Sequence, residues 1–293
     1  MTQVTSVRGA LQKREISVPR AFEIIGRWLG YGLLLGGGLL MVLPIFIMVS
    51  SSLKEPSAIF KIPIQWIPNP FRPENYPEAM KVAPFGRYFF NSLYVGLWTV
   101  VLNVFFSTLA GYGFAKYNFW GRNIMFLAIL STLMIPFQVI MVPLYIIIRN
   151  LGWLNSYTGL IVPWAVSAFG VFMMRQFILS IPSELMDAAR IDGASELGIF
   201  WHVILPLCKT PMVTLAIFTF LDSWNNLLWP LIAITKVEMR TVALGLMEFQ
   251  TLHGTAYHQL MAGATVATIP ILLLFMFLQR YFIQGVVLSG LKG

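Results

Sequence analysis

The chain has 293 residues, 57% of them hydrophobic and 11% charged, with a mean hydropathy of +0.74 and a formal net charge of +8. Soluble globular domains carry roughly 25% charged residues, so this composition excludes them and marks an integral membrane protein. Nor does the positive charge mark a nucleic-acid binder, because Lys and Arg stand singly at the ends of apolar runs and form no basic stripe.

A bilayer core takes about 20 apolar residues per helix. Six stretches qualify: 28–49, 90–114, 123–144, 157–177, 211–234 and 260–283. Arg8, Lys13, Arg14, Arg20 and Arg27 precede the first, against Glu15 and Glu23, which places the amino terminus in the cytoplasm. Six spans then bring the carboxyl terminus to the same side. The first run is too long for a signal-peptide core and is read as an uncleaved span. Gly32 and Gly36 in it have the spacing of a helix-packing pair. Trp28, Trp120, Trp153 and Trp164 fall near span ends, where an aromatic belt is expected. Pro44, Pro136, Pro143, Pro163 and Pro270 are expected to interrupt spans, which neighbouring helices or a water-lined cavity tolerate.

Between the first two spans, residues 54–87 are rich in proline and are expected to be extended and stiff. Residues 182–206, between the fourth and fifth spans, form a polar cytoplasmic segment. Ser183 is expected to cap a helix whose first turn carries Glu184 and Asp187, Gly193 to allow a break before a second short helix, and Pro206 to end that helix. Residues 236–258, before the last span, include 241–246, which are too short to cross a membrane.

The fifth span holds Asp222, with Asn225 and Asn226 three and four positions on. An ionisable group inside a span is costly and faces a partner or water. Asp222, Trp224, Asn225 and Asn226 are therefore candidate lining of a solute pathway, with interhelical hydrogen bonding as the structural alternative. Cys208, the one cysteine, is read as a packing thiol, and His202, His253 and His258 are too scattered for a standard zinc motif. The sequence has no Gly-x-x-x-x-Gly-Lys-[Ser/Thr] phosphate loop, so ATP chemistry belongs to another chain.

The segment Ser183-Glu184-Leu185-Met186-Asp187-Ala188-Ala189-Arg190-Ile191-Asp192-Gly193-Ala194, continuing to Phe200 and Leu205-Pro206, resembles the EAA loop of ABC importer permeases. The resemblance extends along nearly the whole chain after Gly30 to carbohydrate permeases of the maltose type. It is carried by Asn91-Ser92, 110–115, Ile135-Pro136, Pro143-Leu144, Leu151-Gly152, Asn155-Ser156-Tyr157, Trp224-Asn225, Pro230-Leu231 and the 279–293 tail. Two positions depart from the family pattern: Asp187 stands where it usually has Glu, and Asp222 where a small neutral residue is expected.

The resemblance implies an all-α polytopic membrane protein with six transmembrane helices and a cytoplasmic EAA coupling loop, the type I importer permease fold. Residues 1–27 would be a cytoplasmic segment, 28–284 the permease domain with its loop at 182–206, and 285–293 a cytoplasmic tail. Glu184, Asp187, Ala188, Ala189, Arg190, Asp192, Gly193, Ala194, Phe200 and Pro206 would couple it to the ATPase. The implied function is import of a sugar or oligosaccharide across a bacterial inner membrane. The implied partners are a second homologous permease, two ATP-binding subunits that hold ATP and Mg, a solute-binding protein and membrane lipid, with no nucleic acid. This chain would bind no cofactor and would not itself be an enzyme. An acidic oligosaccharide or sugar-phosphate-type cargo is the alternative, and an ion-coupled secondary transporter using Asp222 the more distant one.

Overall fold

A computed structural model describes the backbone of residues 20–251 and 254–290 and the side chains of 26–250 and 254–279. Much of the amino-terminal segment and the last three residues of the tail lie outside the described residues. The chain divides into two units, 1–48 and 49–293. The first is described through α1 (Arg20–Ser52), a helix continuous through Pro44. Its side chains from Leu33 to Met41 other than glycine are exposed, at 66–78% for the leucines and methionine, and residues 26–52 are long and apolar enough to cross a membrane.

The second unit is helical apart from one small hairpin. In chain order it holds α2 (Asn75–Val82), α3 (Phe85–Lys116), α4 (Arg122–Ser131), α5 (Phe137–Asn150), α6 (Tyr157–Ile161), α7 (Ala168–Leu179), α8 (Glu184–Ile191) and α9 (Glu196–Ile199). A π-helical turn, Phe200–Ile204, leads into α10 (Leu205–Leu207), α11 (Lys209–Asn225), α12 (Leu228–Ala233) and α13 (Val242–Gly245). The strands β1 (Gln250–Thr251) and β2 (Gly254–Thr255) pair antiparallel before α14 (Tyr257–Gly290).

Helix α3 is the axis of the unit, packed on α7 and α11, while α14 packs on α11 and α2. Its sequence explains why. Gly96, Thr99, Asn103, Ser107 and Gly111 recur at helical spacing and are buried, whereas Leu97, Trp98, Val101 and Phe106 are exposed. Lipid is as apolar as leucine, so small and polar residues form the helix contacts and large apolar ones face out. At Gly111 a Cβ would stand 2.8 Å from the Arg175 nitrogen and the Met174 Cβ, which is why α7 can approach so closely.

Several expectations need correction. The third span is not one helix: α4, extended through Met134, and α5 meet at 106° across Ile135-Pro136. Pro136 lacks the N–H that would continue the helix and biases the preceding residue to extended backbone. The fourth span bends by 42° after Trp164, and the fifth is divided, α11 ending at Asn225 before the short α12. Pro143 and Pro270, by contrast, lie inside continuous helices. The 54–87 connection includes α2, which begins two residues after Pro73 and admits Pro77 in its first turn, where the missing N–H costs no helical bond. Trp120 is 96% exposed as a belt residue would be, but Trp153 and Trp164 pack partly buried against the cluster around Leu160 and Trp229.

The polar family signatures turn out to be knots between elements. Asn91 donates from Nδ2 to the carbonyls of Glu238 and Arg240, 2.8 Å each, and its Oδ1 accepts from the Tyr157 hydroxyl at 2.7 Å. Asn155, at φ 54°, accepts on Oδ1 from the amides of Thr235 (2.6 Å) and Lys236 (2.9 Å). Both pin the connection before α14 to the helices beneath it.

Candidate functional site

The 182–206 segment is a helix pair held by apolar packing on one side and ion pairs on the other. Met186, Ile199, Phe200 and Ile204 are buried in one cluster with Tyr112 of α3, Met174 and Ile178 of α7, and Leu215 of α11. Outside the lipid, such burial contributes roughly 1.5–3 kcal/mol per large side chain. Between α8 and α9, Gly193 adopts φ +84°, and the amides of Ala194 and Gly193 donate to the carbonyls of Ala189 (2.9 Å) and Arg190 (3.0 Å). That is a Schellman termination, which needs a left-handed residue at this position.

Arg190 ties the two helices together. Its Nη1 donates to Asp187 Oδ1 at 2.7 Å and its Nε to Glu196 Oε1 at 2.8 Å. Glu196 also accepts a hydrogen bond from the hydroxyl of Tyr117, beyond the end of α3, and the Tyr117 oxygen lies 3.0 Å from the Tyr112 hydroxyl. The Arg190 and Tyr117 donors hold the Glu196 carboxyl down to about 2. Burial first, then the bond to Glu196, pushes the Tyr117 phenol well above its ordinary range.

Ser183 does not cap α8. Its backbone is already helical at φ −70°, ψ −23°, so its side chain points away from the orphan amides, and its hydroxyl lies 3.4 Å from Lys116 Nζ, which also donates to the Ile181 carbonyl. The residue that does cap is Ser195, whose Oγ accepts from the Gly198 amide at 3.1 Å. Pro206 does not end the second helix either. It sits in the first turn of α10, where it needs no N–H partner, and the chain turns by 78° at buried Cys208 instead.

Of the coupling candidates, Glu184, Asp187, Ala188, Asp192, Gly193, Ala194 and Pro206 are exposed, Ala189 is half-buried and Phe200 is buried in the core beneath. Beside the exposed acids stand apolar side chains that sequence reasoning did not single out: Ile191 at 87%, Leu197 at 68% and Trp201 at 53% exposure. Tyr117 and Glu196 were missed as well. Tyr117 lies 79 positions from its acidic partner, and no local pattern announces it.

The fifth-span residues separate. Asp222 and Asn226 line a cavity of about 200 Å³ between α3, the break in the fourth span and α11. Trp224 does not line it: the indole is buried, stacks on Phe220 at 5.5 Å and donates to the Ala267 carbonyl at 3.2 Å. Asn225 is exposed, with Nδ2 bonded to the Leu221 carbonyl at 2.8 Å. Asn226 also accepts from the Trp229 amide, which starts α12. In the cavity wall itself, Asn103 donates to the Trp164 carbonyl at 2.9 Å, and its Oδ1 receives Ser167 at 3.3 Å and Thr219 at 3.4 Å.

Residues 103–287 match the family model described as binding-protein-dependent transport system inner membrane component. The chain is 40% identical over 258 residues to the arabinooligosaccharides transport system permease protein AraQ of Bacillus subtilis, covering 87% of this chain and 92% of that one. It is 34% identical over 263 residues to the sn-glycerol-3-phosphate transport system permease protein UgpE of Yersinia enterocolitica, covering 87% and 94%. Its fold is similar to that of a bacterial ABC transporter involved in import of the acidic polysaccharide alginate, with a TM-score of 0.77 at 23% identity over 90% of this chain and 99% of that one. The chain belongs to the family of binding-protein-dependent transport system inner membrane components: it is a permease subunit of an ABC importer.

Proposed function

We propose that this subunit conducts a sugar or oligosaccharide through the inner membrane, with both termini in the cytoplasm and the 182–206 loop docked on a separate ATPase. The observation that carries the docking role is the construction of that loop. Its inner face is fixed by Met186, Phe200 and Ile204 and by the Arg190–Glu196–Tyr117 chain, while Ile191, Leu197 and the acids Glu184, Asp187 and Asp192 are left outward. An apolar patch rimmed by charge is the make-up of a protein interface.

The coupling path follows from the covalent order. A displacement of α8 reaches α3 through Glu196 and Tyr117, and it reaches α11 through the buried turn at 200–208. Helix α11 carries Asp222 at its far end, so movement at the loop changes the cavity. The ATPase pair binds ATP and Mg, this chain binds neither, and a second homologous permease and a solute-binding protein complete the importer. The arabinooligosaccharide relative supports a carbohydrate cargo.

The test is reconstitution of the complete importer in liposomes with a neutral arabino-oligosaccharide outside. Uptake that requires ATP and the binding protein is expected. Uptake that persists without ATP and follows an imposed ion gradient would instead revive the secondary-transporter alternative.

A further inference from the structure

We propose that the cavity beside Asp222 is a solute subsite of this subunit that accepts one neutral sugar unit and rejects anionic cargo. The inference rests on the reading of the chain as a sugar permease and goes beyond it, by locating a contact and fixing the charge of what it takes.

Three observations converge. First, the cavity wall contains buried threonines whose hydroxyls are unpaired. Thr99 and Thr241 line it, are 2% and 3% exposed, and among the described residues their Oγ1 atoms have no hydrogen-bond partner. A buried polar atom left unpaired costs about 1–3 kcal/mol, and such groups in a native structure point to a ligand or water that completes them. Second, Asp222 faces the same space, and among the described residues neither a hydrogen bond nor a counter-charge is formed by its carboxylate. Among the described residues, no Lys, Arg or His lines the cavity. Third, the volume of about 200 Å³ lies below the roughly 300–1,000 Å³ of drug-sized pockets and suits a single ring rather than a chain of them. Trp164 and Phe218 supply flat apolar walls.

Sugar hydroxyls both donate and accept. They therefore satisfy a threonine hydroxyl in either direction and donate to a carboxylate, which accepts. A phosphate or uronate brings the opposite requirement: it needs donors or cations, and it meets an uncompensated carboxylate of like charge. The site thus separates this chain from permeases whose cargo is an anion, without any contact outside its own spans.

The test uses the complete reconstituted importer carrying Ser223→Cys, at a residue that lines the cavity, with the unsubstituted importer as background. Native Cys208 is buried. The readout is the labelling rate with a cationic and an anionic methanethiosulfonate of matched size. With Asp222 present, the cationic reagent is expected to react about tenfold faster, and Asp222→Asn to bring the ratio near unity. Arabinotriose is expected to slow labelling, whereas glycerol 3-phosphate at equal concentration is not. Equal rates for the two reagents with Asp222 in place, labelling by neither, no slowing by arabinotriose, or slowing by glycerol 3-phosphate would each overturn the proposal. The charge ratio with native Asp222 stands even where Asp222→Asn fails to assemble. ATP-driven arabinotriose uptake in the same liposomes separates the two readings. Without uptake the sugar-permease reading falls, and with uptake but no charge bias or protection this inference alone falls.

Discussion

The two ends of α11 are built on opposite principles. At the loop end the polar groups of Asp187, Arg190, Glu196, Tyr117 and Tyr112 are bonded to one another over an apolar cluster. At the cavity end Thr99 and Thr241 are buried in the wall and Asp222 is exposed, and among the described residues none of the three side chains has a hydrogen-bond partner. Saturated polar networks rigidify, whereas unsatisfied buried groups are costly and call for a partner such as water, an ion or a ligand. On the proposed reading, one helix joins a stiff coupling loop to a solute subsite, an arrangement suited to converting a push at one end into a change of binding at the other.

The comparison breaks most completely if the shared axis is disturbed. Gly111→Leu places a side chain where Arg175 and Met174 already stand at 2.8 Å from a Cβ, at a cost of about 3 kcal/mol. The expected result is little permease recovered in the assembled complex, checked by co-purification with the ATPase subunits. Gly193→Val comes next. A β-branched residue at φ +84° costs about 1–3 kcal/mol of backbone strain, although no neighbour lies within 4 Å. The complex is expected to assemble weakly or to hydrolyse ATP with little uptake, which parallel hydrolysis and uptake assays measure.

Glu196→Ala sharpens the comparison at the loop itself. Uptake per ATP is expected to fall a few-fold, because α9 loses its bonds to Arg190 and Tyr117. The pH dependence follows from the same contacts. The Glu196 carboxyl is held at about 2, below its ordinary 4.5, so its stabilising contribution is fully present above pH 4.5 and is lost as pH falls toward 2. Amide exchange at Gly193 and Ala194 is expected to show closure held from neutral pH to about 4.5 and loosening below it. Arg190→Ala should move that loosening upward. The smallest effect belongs to Thr241→Val, which removes an orphaned hydroxyl. Stability is expected to rise by about 1 kcal/mol while half-saturation by arabino-oligosaccharide weakens, as thermal unfolding and uptake titration would show.

Much of this was legible in the sequence. The apolar runs overlap the three helices long enough to cross a membrane and the three bent helix pairs that make six if each is one span, and Gly193 announced its own turn because an L side chain avoids φ +84°. What escaped was direction and distance. An apolar window measures length, so it did not reveal the 106° turn at Ile135-Pro136 or the early end of α11 at Asn225. Trp224 looked like pathway chemistry because aromatics suit sugars, but only the packing of α11 against α14 shows that its indole is spent on Phe220 and Ala267. Ser183 had the composition of a cap without the extended backbone that capping needs. Ser195, which has it, was passed over. Tyr117 and Thr241 acquire meaning through the contacts and the burial that only the folded chain creates.

The central claim, that the 182–206 loop is the surface on which the ATPase seats, is tested most directly at its most exposed apolar residue. Ile191, 87% exposed, can be replaced by the photoreactive amino acid benzoylphenylalanine in the complete importer and irradiated in the membrane. The account predicts a covalent adduct with the ATP-binding subunit. Adducts confined to lipid or to the solute-binding protein would contradict it.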